Sequence, residues 1–227
     1  MRPLTVSVVM AVRNGERYLA EAIASIFGSH RRPLEILLVD GGSTDATVAI
    51  AAAQPLTRIV RQQGTGIADA YNLGIASARG DAIAFLSHDD LWADGKLDVQ
   101  LAAMDADASL MLTVGLVRHV LVGDAPPGFR VDLLGRDVPG FIMETLVARR
   151  EVFDALGGFD ARLATAEDVD WFARAHDAGV RIALLPHRLL TKRIHGSNAS
   201  LTDGKGTRHL LSALRASVGR KRGSSGA

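Results

Sequence analysis

The chain contains no cysteine, so its fold rests on neither disulfides nor a thiolate metal site, and a reducing compartment such as the cytoplasm is expected. Long apolar runs are also absent. The first, Val6–Val12, is too short to span a bilayer and lacks the basic, apolar and cleavage regions of a signal peptide. The remaining runs are broken by charge or glycine, so no transmembrane helix is expected. Neither sign of charge dominates: 26 basic residues face 25 acidic ones, which excludes a global pull toward nucleic acid or an anionic surface. Three familiar signatures are missing as well. Gly64-Thr65-Gly66 lacks the third glycine of a dinucleotide fingerprint and follows the third strand rather than the first; no Gly-x4-Gly-Lys-Ser/Thr loop and no Gly-x-Ser-x-Gly elbow occurs. A dehydrogenase, a P-loop ATPase and an α/β-hydrolase are therefore set aside.

What is present is a chain of 227 residues with 48% hydrophobic content, enough to bury one sizeable core. The first half alternates short apolar runs with segments of helical period. Strands are expected at Val6–Val12, Leu34–Asp40, Thr57–Arg61 and Ala82–Leu86, and helices near Tyr18–Ser29, Thr44–Ala53 and Gly66–Ser77. That pattern is a doubly wound α/β fold, a mostly parallel sheet flanked by helices. Further on, an apolar run at Leu110–Val122 precedes a proline- and glycine-rich stretch, Gly123–Gly140, and a strand candidate, Glu144–Ala148. Helices are expected at Arg150–Leu156 and Asp168–Ala178, and two more strands at Arg181–Leu185 and Leu190–Ile194, so the sheet is extended by mixed strands. The chain divides into one domain over residues 1–204, with halves at 1–105 and 106–204, and a tail over 205–227 that holds an amphipathic stretch, His209–Val218, and a basic, flexible end.

In an open α/β sheet the ligand crevice lies at the carboxyl ends of the strands, and here those ends are polar: Arg13-Asn14-Gly15-Glu16, Asp40-Gly41-Gly42-Ser43-Thr44-Asp45 and Ser87-His88-Asp89-Asp90. Singly, each is an ordinary turn or helix cap. The adjacent carboxylates Asp89 and Asp90 repel each other unless a cation or donor compensates, and Mg²⁺ takes one or two protein carboxylates and completes its shell with water and phosphate oxygens. A second acidic cluster, Glu167-Asp168-Val169-Asp170, opens a helix, where the dipole alone stabilises it. A carboxylate there can also serve as a base toward a hydroxyl within hydrogen-bond reach.

Taken in order, these segments resemble the family-2 glycosyltransferases, inverting enzymes with the GT-A fold, from about Val6 to about Leu201. The opening Val6-Ser7-Val8-Val9-Met10-Ala11-Val12-Arg13-Asn14 is similar to the family's first strand and turn, with Ala11 where proline is usual; the resemblance implies that Ala11 and Arg13 hold the nucleotide base. Ile36 to Asp45 resembles the second-strand motif and implies that Asp40 contacts the base. Gly66-Ile67-Ala68-Asp69-Ala70-Tyr71-Asn72-Leu73-Gly74 implies that Gly66, Asp69 and Asn72 face the nucleotide sugar. Phe85-Leu86-Ser87-His88-Asp89-Asp90-Leu91-Trp92 is similar to the family's Phe-Leu-Asp-x-Asp-Asp-x-Trp, with Ser87 replacing the first aspartate. His88 and Asp89 are then donor contacts, and Asp89, Asp90 and the His195 of Arg193-Ile194-His195 are the implied ligands of a divalent metal, Mg²⁺ or Mn²⁺.

Gly157-Gly158-Phe159-Asp160 followed by Glu167-Asp168-Val169-Asp170-Trp171 resembles the family's Gly-Gly-Phe-Asp and Glu-Asp pairing. It implies Asp168 as general base, with Glu167 and Trp171 on the sugar and acceptor side. The implied substrates are a nucleoside-diphosphate sugar, UDP-sugar favoured, and a carbohydrate, lipid-linked or other hydroxyl acceptor, with no nucleic acid. Two other readings are weighed. One is a catalytically weak sugar-nucleotide-binding subunit acting through a partner, suggested by Ser87. The other is a nucleotidyltransferase, disfavoured because no glycine-rich basic loop directly follows the first strand. The basic tail is read first as a solvated, disordered end; the alternative is peripheral membrane docking on anionic lipid, where each basic residue near the surface contributes about 1 kcal/mol.

Overall fold

The computed structural model describes residues 3–163, 166–196 and 198. The amphipathic stretch and basic tail expected after residue 204 lie outside the described residues. Among those described, no helix is long and apolar enough to cross a membrane.

The elements in chain order are β1 (Val6–Val12), α1 (Leu19–Ile26), β2 (Glu35–Asp40), α2 (Thr47–Ala52), β3 (Thr57–Arg61), α3 (Ile67–Ser77), β4 (Ala82–Phe85), β5 (Leu91–Trp92) and α4 (Lys96–Ala106). They continue with β6 (Leu112–Leu121), β7 (Asp137–Gly140), β8 (Val147–Arg149), α5 (Arg150–Leu156), α6 (Glu167–Asp177) and β9 (Ile182–Ile194). The sheet runs β3-β2-β1-β4-β8-β6-β9-β5, with β7 on β6. The first four strands pair in parallel, and β8 joins antiparallel to both β4 and β6. The expected parallel half and mixed extension are thus both present.

Alternation along the central strand explains the two-sided core. Val6, Val8, Met10 and Val12 point to the face covered by Leu19, Ile23 and Ile26 of α1 and Leu97, Leu101 and Met104 of α4. Val9 points to the opposite face, toward Ala68 and Tyr71 of α3, Phe153 of α5 and Trp171 of α6. Burial on both sides is why β1 reads as a continuous apolar run. In α1, Leu19, Ala22, Ile23 and Ile26 are all fully buried, the stripe that a helix lying on a sheet requires.

Two expectations are corrected. The strand expected at Glu144–Ala148 begins only at Val147, because Met143–Thr145 forms a 3-10 turn. The Thr145 hydroxyl closes that turn by donating to the carbonyls of Gly140 and Ile142. The strands expected at Arg181–Leu185 and Leu190–Ile194 are one strand, β9, whose parallel pairing with β6 shifts register twice around Leu116. Gly115 permits the irregularity: a Cβ there would lie 2.4 Å from Leu189 Cδ1. Short β5 and β7 carry too few residues for a period of two to register in sequence.

Candidate active site

One pocket of about 790 Å³ opens where the carboxyl ends of β1 and β4 meet the start of α6. The turns after β1 and β2 are stitched together by side chains. Asn14, at φ 53, donates its amide to Ser43 Oγ and accepts the Thr44 amide on Oδ1, while the Gly15 amide donates to Thr47 Oγ1. This places Ala11, Arg13, Asn14 and Gly41 along one end of the cavity, with Gln62 and Gly64 to Gly66 beside them.

His88 and Asp89 line the pocket after β4. Burial lowers the His88 pKa, opposed by the Asp89 charge. Asp89 Oδ2 lies 3.1 Å from His195 Nε2 and accepts the Asn198 side-chain amide at 3.1 Å. The His195 ring stacks on Tyr18, centroids 5.5 Å apart. The Tyr18 hydroxyl, also on the pocket, is buried without a hydrogen-bond partner among the described residues.

At the other end stand Glu167 and Asp168, the first residues of α6. Ala166 precedes them at φ 67, a left-handed conformation uncommon for alanine that turns the chain into the helix. Burial raises the Asp168 pKa, and the Glu144 charge adds to it, against the Val169 amide that donates to Oδ1 at 2.7 Å. Burial, with Asp168 and Glu144, takes Glu167 to about 7.

Between the two ends lies a charged network. Glu144 Oε1 accepts from Ser87 Oγ at 2.7 Å and from Lys192 Nζ at 3.3 Å, and Lys192 Nζ donates to Asp90 Oδ2 at 2.8 Å. Burial opposes the lysine charge, but Asp90 and Glu144 hold its pKa well above the usual value. Burial alone would raise Glu144; Lys192 and Ser87 outweigh it and keep this carboxylate ionised.

Several assigned residues act elsewhere. Asp90 is fully buried and is not among the residues that line the pocket; its Oδ2 accepts from Lys192 and its Oδ1 accepts the Arg193 amide at 2.9 Å. Trp171 is likewise not on the acceptor side: it is fully buried, stacks on Phe153 at 4.7 Å and donates from Nε1 to the Gly157 carbonyl. Asn72 faces Phe159 instead of the pocket, bonding to its backbone at 2.7 and 2.8 Å. Asp69 is not among the lining residues; its carboxylate sits behind Gly64 and accepts from Gln62 Nε2 at 2.8 Å. Asp40 shapes the site from beneath, its Oδ1 accepting the Ser43 amide at 3.0 Å. The structure adds Tyr18, Gln62, Glu144, Lys192 and Asn198 to the pocket. For Glu144 a signal existed, since it is a lone charge within the otherwise apolar stretch 141–148, and charged residues are rarely buried unless paired; Lys192, beside Arg193 and near His195, carried none.

Comparison with known proteins agrees with this architecture. Residues 7–155 match the family model described as Glycosyl transferase family 2. An uncharacterized glycosyltransferase of Nostoc sp. (strain PCC 7120) is 26% identical over 233 residues, a match covering 90% of this chain and 69% of that protein. An uncharacterized glycosyltransferase of Rickettsia felis is 38% identical over 103 residues, covering 44% of this chain but 17% of its own. The chain thus spans a minor part of some relatives. Among solved structures, S. aureus TarS 1-349 in complex with UDP-GlcNAc superposes with a TM-score of 0.75 at 19% identity, covering 95% of this chain and 66% of TarS. A mycobacterial protein superposes with a TM-score of 0.72 at 20% identity, covering 95% of this chain and 75% of that one. These likenesses establish the GT-A fold.

Proposed function

Because the chain belongs to glycosyl transferase family 2, we propose that it transfers a sugar from a nucleoside-diphosphate sugar, with a UDP-sugar favoured, to an acceptor hydroxyl with inversion at the anomeric carbon. The observation that carries this reading is the sharing of one cavity by the Arg13 turn, Asp89 and Asp168. In it the nucleotide lies along the Ala11 to Asn14 turn and Gln62, the diphosphate near Asp89, and the sugar toward Glu144, Glu167 and Asp168. Asp168 removes the proton of the acceptor hydroxyl, whose oxygen attacks the anomeric carbon from the face opposite the nucleotide. The bond to the diphosphate breaks, and the nucleoside diphosphate leaves with that electron pair. A base whose pKa is raised by burial is suited to this task at neutral pH, and such assistance typically contributes about 10²- to 10⁴-fold.

A divalent cation, Mg²⁺ or Mn²⁺, belongs to the same proposal. Among the described residues no group of three or more His, Asp or Glu side chains is placed to hold a metal. The pair Asp89 and His195 nevertheless suits a cation that completes its shell with water and phosphate oxygens. These two residues would hold it; Asp90, tied to Lys192, would not. Its chemistry would be to offset charge on the departing diphosphate.

The test is release of nucleoside diphosphate from a panel of nucleotide sugars with Mg²⁺ or Mn²⁺, with and without acceptors. Slow donor hydrolysis without acceptor, restricted to one or a few donors, is expected; release from none of them would contradict the proposal.

A further inference from the structure

Glu144 belongs to none of the motif segments quoted above, yet the fold brings it to the lining of the pocket. It is 8% exposed, and a carboxylate so buried is costly unless it is compensated. The compensation is incomplete in a specific way. Ser87 Oγ and Lys192 Nζ both bond to Oε1, so the two groups fix the carboxylate in place and, among the described residues, leave Oε2 with no hydrogen bond from another side chain.

We propose that Glu144 is a specificity-determining residue whose Oε2 accepts a hydrogen bond from a ring hydroxyl of the donor sugar. The inference rests on the donor reading above and deepens it. Three arguments support the assignment. The nucleotide end of the cavity is formed by the turn after β1 and by Gln62, whereas the charge of Glu144 acts on both Glu167 and Asp168 in the same cavity, near where the reacting carbon must lie if Asp168 is the base. An ionised carboxylate is an acceptor only, so it selects a hydroxyl-rich partner and repels a phosphate. Finally, Ser87 is what permits Glu144 to stand there: an aspartate at position 87 would set a second negative charge against Oε1 at the distance now spanned by a 2.7 Å hydrogen bond.

The experiment is calorimetric titration of the wild type, Glu144→Gln and Glu144→Asp with UDP, UDP-GlcNAc, UDP-glucose and UDP-galactose in the presence of Mn²⁺. The expected result is that at least one UDP-hexose binds the wild type more tightly than UDP does. Glu144→Gln should lose about tenfold of affinity for that hexose, as for a hydrogen bond to a charged group, while its affinity for UDP stays within about twofold. Glu144→Asp keeps a charge for Lys192 but draws the carboxylate back by one methylene; it should retain the fold and UDP binding and lose the sugar increment too. If either variant keeps the increment, or loses UDP and UDP-hexose equally, Glu144 is only a structural partner of Lys192 and the inference is overturned. A wild type that binds UDP but gains nothing from any sugar also overturns it. Binding of neither UDP nor any UDP-sugar by the wild type instead removes the UDP-sugar reading on which the inference rests.

Discussion

Asn72 clasps the backbone of Phe159 from both sides, donating from Nδ2 to its carbonyl at 2.8 Å and accepting its amide on Oδ1 at 2.7 Å. This ties α3, which starts beside the nucleotide end of the pocket, to the turn that precedes the Glu167-Asp168 pair. Gly158 makes room for the clasp, since a Cβ there would lie 2.1 Å from Asn72 Oδ1. Asn72→Ala leaves a backbone donor and acceptor unpaired, a loss of about 1 to 3 kcal/mol. Thermal melting is expected to drop by several degrees, with Gly158→Ala falling by a similar amount. Unchanged melting in both variants would show that the clasp does not hold the two segments together.

Trp171 is expected to report on the core and not on the acceptor. With Phe153 stacked on it and no exposed surface, Trp171→Ala should cost about 3 to 5 kcal/mol and cause broad loss of cooperative unfolding in denaturant titrations. Trp171→Phe should keep a cooperative transition and the wild-type acceptor KM. A raised acceptor KM in a Trp171→Phe protein of normal stability would restore the tryptophan to the acceptor side.

The two neighbouring aspartates are expected to separate cleanly. Asp89→Asn should abolish the strengthening of UDP binding by Mn²⁺, measured by titration with and without chelator. Asp90→Asn should keep that strengthening and lower the melting temperature, because it strips Lys192 of its 2.8 Å partner. Loss of the Mn²⁺ effect in Asp90→Asn alone would reverse the assignment.

How far the sequence predicted this site depended on what each motif does in space. The β-α alternation fixed the first four strands to within a residue or so, because buried parallel strands and amphipathic helices carry strong, distinct periods. Motif matching brought Arg13, His88, Asp89, Glu167 and Asp168 to one cavity. It did not distinguish residues that line the cavity from those that hold the lining in place: Asp40, Asp69, Asn72 and Asp90 sit beside pocket residues in sequence, but their side chains are spent on Ser43, Gln62, Phe159 and Lys192. Glu144 and Lys192 stayed invisible as a pair because they lie 48 residues apart, and only the pairing of β6 with both β8 and β9 brings them together.

The Glu167 carboxyl supplies a stability prediction whose sign is fixed. Burial, with Asp168 and Glu144, raises its folded pKa from 4.5 to about 7, so the folded chain retains a proton that the unfolded chain releases. The resulting stabilisation is fully present below about pH 4.5 and is lost as pH rises through about 7. Glu167→Gln, neutral in both states, is therefore expected to melt a few degrees above the wild type at pH 8 and close to it near pH 4. Equal melting of the two proteins at both pH values would mean that Glu167 titrates as a solvated carboxylate.

The pH profile of catalysis should respond to Glu144. Its charge helps burial hold Asp168 above the usual carboxylate pKa, so activity is expected to rise with pH as Asp168 loses its proton. In Glu144→Gln that acidic limb of kcat/KM should move to lower pH, whatever the variant does to donor affinity. A limb that stays in place would detach Glu144 from the base.

The central claim is that Asp168 is the base while the donor is held by other residues of the same pocket. Its most direct test is Asp168→Asn, assayed side by side for sugar transfer and for calorimetric UDP binding. Transfer is expected to fall by about 10²-fold or more, with UDP affinity within about twofold of the wild type. Transfer at the wild-type rate in that variant would contradict the claim.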